Sequence, residues 1–353
     1  MIGIKVWLDA QTSKQSTLLG HIANHLTREG HEVLFTCREY EYTVKAAERL
    51  GLNPIVAGKY SEGGPKEKVE ADIERMEKLL HIVSEFGPEL LIAYPNPPAA
   101  RVAYGLGIKY LALTDSPHAE IPSRLSLPLA TAVIFSAAIP KKLVTRFMYQ
   151  EALAVQYEGV DELIWLYRSR PRKEYIESLG LRSKEYVVFR PREFMATYYK
   201  GLRREVCIED IVHVVSEAGL TPVILPRYSA HKELIRSLKD EGIDVQTIEG
   251  SYDGVSLTYF ARAVVTGGAT LAREAALLMT TGITYFPQEL HVNEYIRSKG
   301  YPLYKASSTE EIVNLIMGAP RTVKDFDEII SKWRKDFQDP LHVVLEIVNG
   351  WSA

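Results

Sequence analysis

The residues best suited to chemistry lie around a pair of glycines. The apolar run Ala263-Val264-Val265 leads into Thr266-Gly267-Gly268-Ala269-Thr270, and a helical pattern follows that carries Glu274 one turn in. Glycines let a phosphate come close to the backbone. The free N–H groups and the dipole at a helix N-terminus favour a diphosphate. A carboxylate at Glu274 is placed to accept the two hydroxyls of a ribose, and Thr266 or Thr270 can add a hydroxyl donor. A plain strand-to-helix turn with a solvated glutamate is the alternative. Arg190-Pro191-Arg192-Glu193 ends another apolar run. Arginine forks there suit a diphosphate, with an ion pair to Glu193 as the bland alternative.

A second group lies in the N-terminal half. Asp115-Ser116-Pro117-His118-Ala119-Glu120 follows the strand pattern Ile108 to Leu113. An imidazole at a strand's carboxyl end can take a proton from a hydroxyl, with Asp115 to orient it. Otherwise Asp115 caps the next helix and His118 is a surface residue. Asp9-Ala10-Gln11-Thr12-Ser13-Lys14 follows the first strand, with Ser13 or Thr17 as an expected helix cap. Tyr94-Pro95-Asn96-Pro97-Pro98 ends a further strand as a rigid turn that could line a pocket.

Strands and helices must alternate to hold these groups at strand ends. In the first half, strands are expected at Ile4–Leu8, His31–Thr36, Pro54–Ala57, Leu90–Tyr94, Ile108–Leu113 and Ala132–Phe135, with amphipathic helices at 17–28, 42–50, 66–86 and 99–106. From Lys141 to Arg172 aromatic and basic residues thicken, and the domain junction is placed there, near residue 175. Alternation then restarts, with strands at Tyr186–Phe189, Pro222–Leu225, Asp244–Gln246, Ala263–Val265 and Ile283–Phe286. The expected fold is therefore α/β, with two Rossmann-like domains facing across a cleft: 1–175, then 176–322, with 323–353 as helices packing back on the first. A chain of 353 residues fits two cores better than one.

The segment Thr266 to Ala276, with Gly282 and a strand after it, resembles the donor motif of glycosyltransferase-B (GT-B) enzymes. It is similar to that of the bacterial N-acetylglucosaminyltransferase that completes lipid II and of UDP-N-acetylglucosamine 2-epimerases. The whole chain also resembles a mostly archaeal family, domain of unknown function 354. That likeness rests on Asp9 with Thr12-Ser13, Gly30-His31-Glu32-Val33, Asp115 to Ala119, Tyr157-Glu158-Gly159, Arg190-Pro191-Arg192 and Gly267 to Ala276. The resemblance implies a two-domain fold and a nucleotide-sugar ligand, UDP-type before others, bound as substrate with no separate cofactor. It places Arg190, Arg192, Thr266, Gly267, Gly268, Thr270 and Glu274 on the nucleotide sugar. His118, Asp115 and Asp9 become the catalytic candidates, and Ser13, Tyr94 and Asn96 face an unidentified acceptor, for which a lipid-linked molecule is one candidate.

Sugar transfer without a metal is the leading expectation, because no Asp-x-Asp pair or Cys/His cluster is present. A 2-epimerase ranks below it. That family's His-Gly-Asp is Tyr94-Pro95-Asn96 here, and Ile121-Pro122-Ser123-Arg124 replaces its later acidic motif. A non-catalytic nucleotide-sugar binder is the third reading. A hydrolase is disfavoured for want of a Gly-x-Ser-x-Gly elbow. The net charge of −3 gives no field for nucleic acid. Two cysteines, Cys37 and Cys207, fit a reducing cytoplasm. The N-terminus reads as a first strand rather than a secretory leader. The stretch 141–173 reads as a solvated charged face, with contact to anionic lipid at the inner membrane face as the alternative. Twenty tyrosines, many charges and few asparagines hint at a thermophile.

Overall fold

The structure is a computed structural model that describes residues 3–191, 206–226, 229–250 and 252–352. It divides into two compact units. One comprises residues 1–168 with 337–353, the other residues 169–336.

Among the described residues the first unit holds a seven-stranded sheet: β1 Lys5–Ala10, β2 Glu32–Glu39, β3 Ile55–Lys59, β4 Leu90–Ala93, β5 Lys109–Leu113, β6 Ala132–Ser136 and β7 Leu153–Tyr157. Its order is β3-β2-β1-β4-β5-β6-β7. The strand pairings are all parallel, with Trp7 opposite Leu34 and Leu91, and Leu91 opposite Tyr110. The central strands are buried on both faces, which is why β1, β4 and β5 read as nearly continuous apolar runs. Chain order reverses between β1 and β4, and at such a switch point the loops after the two strands diverge and leave room for a ligand.

The second unit has six strands: β8 Tyr186–Arg190, β9 Thr221–Ile224, β10 Gln246–Thr247, β11 Ala263–Thr266, β12 Thr281–Thr284 and β13 Leu303–Lys305, in the order β10-β9-β8-β11-β12-β13. All are parallel. Here the switch falls between β8 and β11, the strands that carry Arg190 and the glycine turn. Val187, Phe189 and Val265 pack with Val212 and Val215 of the helix Ile208–Glu217, and with Ile312 and Ile316 of the helix Thr309–Met317.

Three details depart from the sequence reading. The first helix begins at Ser13, a turn before the expected position, because Thr12 takes the extended cap conformation and its hydroxyl accepts from Gln15 N at 3.3 Å. Neither Ser13 nor Thr17 is the cap; Thr17 spends its hydroxyl on Ser13 O. Strands β7 and β13 were not foreseen. Both lie at sheet edges, and their half-exposed sequences, LAVQY and LYK, lack the apolar run that marks a central strand. Finally, the helix Phe326–Asp336 falls in the second unit, where the Trp333 indole donates to Leu277 O at 2.8 Å. The chain re-enters the first unit only at Phe337. There Gln338 N donates to Glu158 O, and Arg168 grips both Asp339 oxygens, at 3.3 and 2.7 Å.

Gly282 in β12 fixes how the helix after the glycine turn is seated. A Cβ at this position would lie 2.1 Å from Ala272 O. Backbone cannot retreat as a flexible side chain can, so the helix Thr270–Leu277 would be pushed off its strand. Gly282→Ala should cost about 3 kcal/mol of stability or prevent folding outright. Urea unfolding of the purified variant checks this; a wild-type midpoint would show that the helix has room to shift.

Candidate functional site

In the second unit, Arg190 and Thr266 end neighbouring strands and stand opposite one another in register. Gly267 N donates to Arg190 O at 3.1 Å, which pins the start of the turn to β8. Gly268 N donates to Thr266 Oγ1 at 3.0 Å, and Thr284 Oγ1 donates to Gly268 O at 2.7 Å. The turn is thus held in shape by two threonine hydroxyls, Thr266 as acceptor and Thr284 as donor. The helix Thr270–Leu277 then begins at Ala269 with no side chain capping it. Its first-turn N–H groups retain the donor capacity and positive dipole end that attract an anion.

Gly268 itself is exposed. Among the described residues a Cβ there would meet only Thr266 Oγ1, at an ordinary 3.7 Å, and its φ lies outside the left-handed region. Neither packing nor backbone strain requires a glycine, in contrast to Gly282. Glu274 sits one turn into the helix and is 8% exposed. Thr258 Oγ1 donates to Glu274 Oε1 at 3.3 Å, and Gly254 lies so close that a Cβ there would stand 3.2 Å from the same oxygen. At that burial Glu274 is not the solvated surface glutamate of a plain strand-to-helix turn. Arg190 Nη1 donates to Tyr252 OH at 3.0 Å, so the guanidinium is held at the carboxyl end of β8. Arg192 lies outside the described residues. Sequence reasoning did not single out Thr284, Tyr252 or Thr258, which are ordinary residues until the fold brings them to the turn.

The first unit gathers a denser polar cluster at its own switch point. Asp9 is fully buried. Arg75 Nη2 donates to its two oxygens at 2.7 and 2.6 Å, and the Thr36 hydroxyl and Asn96 amide also donate to it. With its acceptor positions taken and no exposed surface, Asp9 ties β1 to β2, to the helix Pro65–Phe86 and to the turn after β4. Asn96 also caps the helix Pro97–Gly105 and accepts from Gln11 Nε2 at 3.0 Å. The Ser13 hydroxyl, at the start of the first helix, is buried and makes no hydrogen bond among the described residues.

Next to it runs a more open charge network. Lys14 Nζ donates to Asp115 Oδ2 at 2.6 Å and to Asp161 Oδ2 at 3.3 Å. The Tyr94 and Tyr157 hydroxyls both donate to Asp161, one to each oxygen. Lys14 also stands 5.3 Å over the Tyr94 ring. Burial, and then the Asp161 charge, hold both phenols well above the ordinary tyrosine pKa, so they remain donors. The lysine side chain is 19% exposed, Asp115 11% and Asp161 5%. One cation thus bridges two carboxylates at the carboxyl ends of β1, β5 and β7, with a path to solvent at the lysine. The sequence pointed to Asp115 and Tyr94 but missed Lys14, Tyr157 and Asp161 as chemical groups. Ser116 Oγ donates to the other Asp115 oxygen at 2.9 Å. His118 lies exposed in the following turn, where its carbonyl accepts from Glu120 N. Asp115 does not cap the next helix, whose N-cap is Ala119.

No helix among the described residues is long and apolar enough to cross a membrane. Nor do the described residues bring together three His, Cys, Asp or Glu in a group fit to hold a metal.

The architecture has solved counterparts. The UDP-GlcNAc 2-epimerase of Methanocaldococcus jannaschii, crystallised with UDP-GlcNAc and UDP, superposes with a TM-score of 0.70 at 15% identity, covering 98% of this chain and 99% of its own. The Neisseria meningitidis enzyme of the same name, bound to UDP-GlcNAc, gives 0.69 at 13% over 98% and 100%. The spinosyn forosaminyltransferase SpnP gives 0.62 at 14%, covering both chains fully. At these identities the likeness is one of fold: two parallel-sheet α/β units of the kind shared by GT-B glycosyltransferases and these epimerases. By sequence, the uncharacterized protein MJ0665 of Methanocaldococcus jannaschii is 26% identical over 324 residues, 90% of this chain and 92% of its own. Residues 4–351 match the family of unknown function DUF354, and the chain belongs to that family.

Proposed function

We propose that the protein is an enzyme acting on a nucleotide-diphosphate sugar, and that it transfers the sugar to an acceptor. The observation that carries this reading is Gly268: an exposed glycine that the fold does not need, at an uncapped helix start, one turn from a buried glutamate. A diphosphate that must touch the backbone accounts for the glycine, and ribose hydroxyls account for the glutamate. In this reading Arg190 and the N–H groups at the start of the helix stabilise the leaving diphosphate without a resident metal. The neighbouring folds, solved with UDP and UDP-GlcNAc, support UDP as the first nucleotide to try. A thermal-shift screen against UDP-, GDP-, CMP- and dTDP-sugars tests it, since a ligand of the native state raises the melting temperature. Failure of every nucleotide to stabilise the folded chain would reject it.

In the transfer reading His118 takes the acceptor's proton. Its exposed setting leaves it accessible, and His118→Ala should lower turnover by about 10²-fold with donor affinity unchanged. Turnover and affinity measured on one preparation decide this. Full activity removes His118 from the chemistry.

The first unit also gives the 2-epimerase reading more ground than the sequence did. That chemistry removes and returns a proton on the sugar, and Asp115 and Asp161 around Lys14 are the kind of acid–base set it needs. Incubation with UDP-GlcNAc in deuterium oxide separates the two. Deuterium at sugar C2 means epimerisation, and nucleotide release that depends on an added acceptor means transfer.

A further inference from the structure

Arg38 is a largely enclosed cation that forms no ion pair with a carboxylate among the described residues. It lies near the carboxyl end of β2, and Arg38 Nη2 donates to Gln11 O at 3.1 Å. Its guanidinium carbon stands 5.4 Å from the Tyr40 ring centre and 4.9 Å from that of Tyr60, and those two rings are 4.4 Å apart. Its Nε is buried without a hydrogen-bond partner among the described residues, where no carboxylate comes within ion-pair distance of it either. The nearby Arg75 spends its charge on Asp9. Asp72, one turn before Arg75 on the same helix, acts on Arg38 from beyond ion-pair distance and less strongly than the phenols of Tyr40 and Tyr60. Burial, and then the repulsion of Arg75, push the Arg38 pKa down, and Tyr40, Tyr60 and Asp72 offset only part of this. Arginine cannot shed its proton to relieve this, so a buried guanidinium is normally matched by an anion.

The backbone is shaped around this residue. The β2–β3 register slips opposite Arg38: Cys37 pairs with Val56 and Glu39 with Lys59, so Ala57 and Gly58 together face one residue. Gly58 has φ +72°, and a Cβ there would stand 3.1 Å from the Arg75 Cβ. Bulges of this kind re-aim side chains, and they are found beside binding sites. Arg38 keeps partial exposure at the edge where Gln11 and Asn96 also lie.

We propose that Arg38, flanked by Tyr40 and Tyr60, binds an acidic group of a ligand, a carboxylate or a phosphate, at the carboxyl edge of the first unit's sheet. The anion supplies the missing counter-charge, and the two rings brace the guanidinium so that its donors face the ligand. This site is separate from the glycine turn and does not depend on a nucleotide being the other ligand.

The test uses the full-length chain at constant ionic strength, titrated in parallel with inorganic phosphate and with acetate while the melting temperature is followed. The wild type should be stabilised by one of the two, and which one identifies the acidic group. An increment should remain in Gly268→Val, where phosphate can no longer use the glycine turn, and the Arg38 variants are compared in that background. Arg38→Leu should weaken the apparent affinity about 10-fold or more, and Arg38→Lys, which keeps the charge but loses the fork, about threefold. Circular dichroism establishes that each variant is folded. If Arg38→Leu does not fold, Arg38→Lys decides. An unchanged affinity in the folded variant overturns the proposal. So does a wild type that neither anion stabilises, or an increment that disappears in Gly268→Val.

Discussion

Gly268→Val should abolish nucleoside-diphosphate binding while leaving the fold intact. The described residues leave room for a Cβ at this position, with one contact at 3.7 Å, and the φ is open to any residue. A diphosphate does not have that room if it lies against the backbone. A methyl-bearing side chain would take the place of the phosphate oxygens, and the first-turn N–H groups would be screened from them. The expected loss is about 10³-fold in affinity, near 4 kcal/mol, with a melting temperature close to wild type. Gly268→Ala should fall between the two. Glu274→Ala is the companion variant. It should weaken a nucleoside diphosphate about 10-fold through lost ribose contacts, and it should leave inorganic pyrophosphate binding unaffected. Calorimetric titration of UDP into the folded variants settles the matter. Wild-type affinity in Gly268→Val would mean that no ligand approaches the turn, and the glycine would then have no explanation in the fold or in binding.

The contrast between Gly268 and Gly282 also shows what the sequence could and could not disclose. Both glycines stood out in the same motif. Only coordinates separate the one required by Ala272 O from the one required by nothing inside the protein. The double α/β architecture was legible because central parallel strands are buried on both faces and read as apolar runs. Edge strands such as β7 are half exposed and gave no such signal. The division near 175 and 322 falls at 168/169 and 336/337 in the structure, since Trp333 packs with Leu277 whatever the local composition. Asp9 looked catalytic as an acid after a first strand. Its partner Arg75 lies 66 residues on, inside a helix whose spacing shows only amphipathicity. Lys14 and Asp161 are 147 residues apart. No spacing rule connects them, and Lys14 alone resembles any charged residue in a helix's first turn.

That lysine carries the largest catalytic effect expected in the first unit. Lys14 pairs with both Asp115 and Asp161, and the two phenols on Asp161 are neutral donors that do not offset its charge. Replacing Lys14 by Met keeps the length of the side chain and removes the charge. Two carboxylates would then face each other across a partly buried site, and like charges at such range raise one pKa of the pair. Whichever role the carboxylates play, proton acceptor or electrostatic partner of the reacting sugar, the pair would no longer be ionised as in the wild type. Turnover should fall about 10³-fold. The pH profile should shift as well: its acidic limb should move to higher pH, because the group that must be deprotonated now holds its proton more tightly. Lys14→Arg, which keeps the charge, should recover the position of that limb even if the rate stays low. Donor affinity should hardly change, since the glycine turn lies in the other unit. The decisive measurement is the pH dependence of turnover for wild type, Lys14→Met and Lys14→Arg. A lower rate with an unmoved limb in Lys14→Met would assign the lysine to packing over Tyr94 rather than to the charge of the pair.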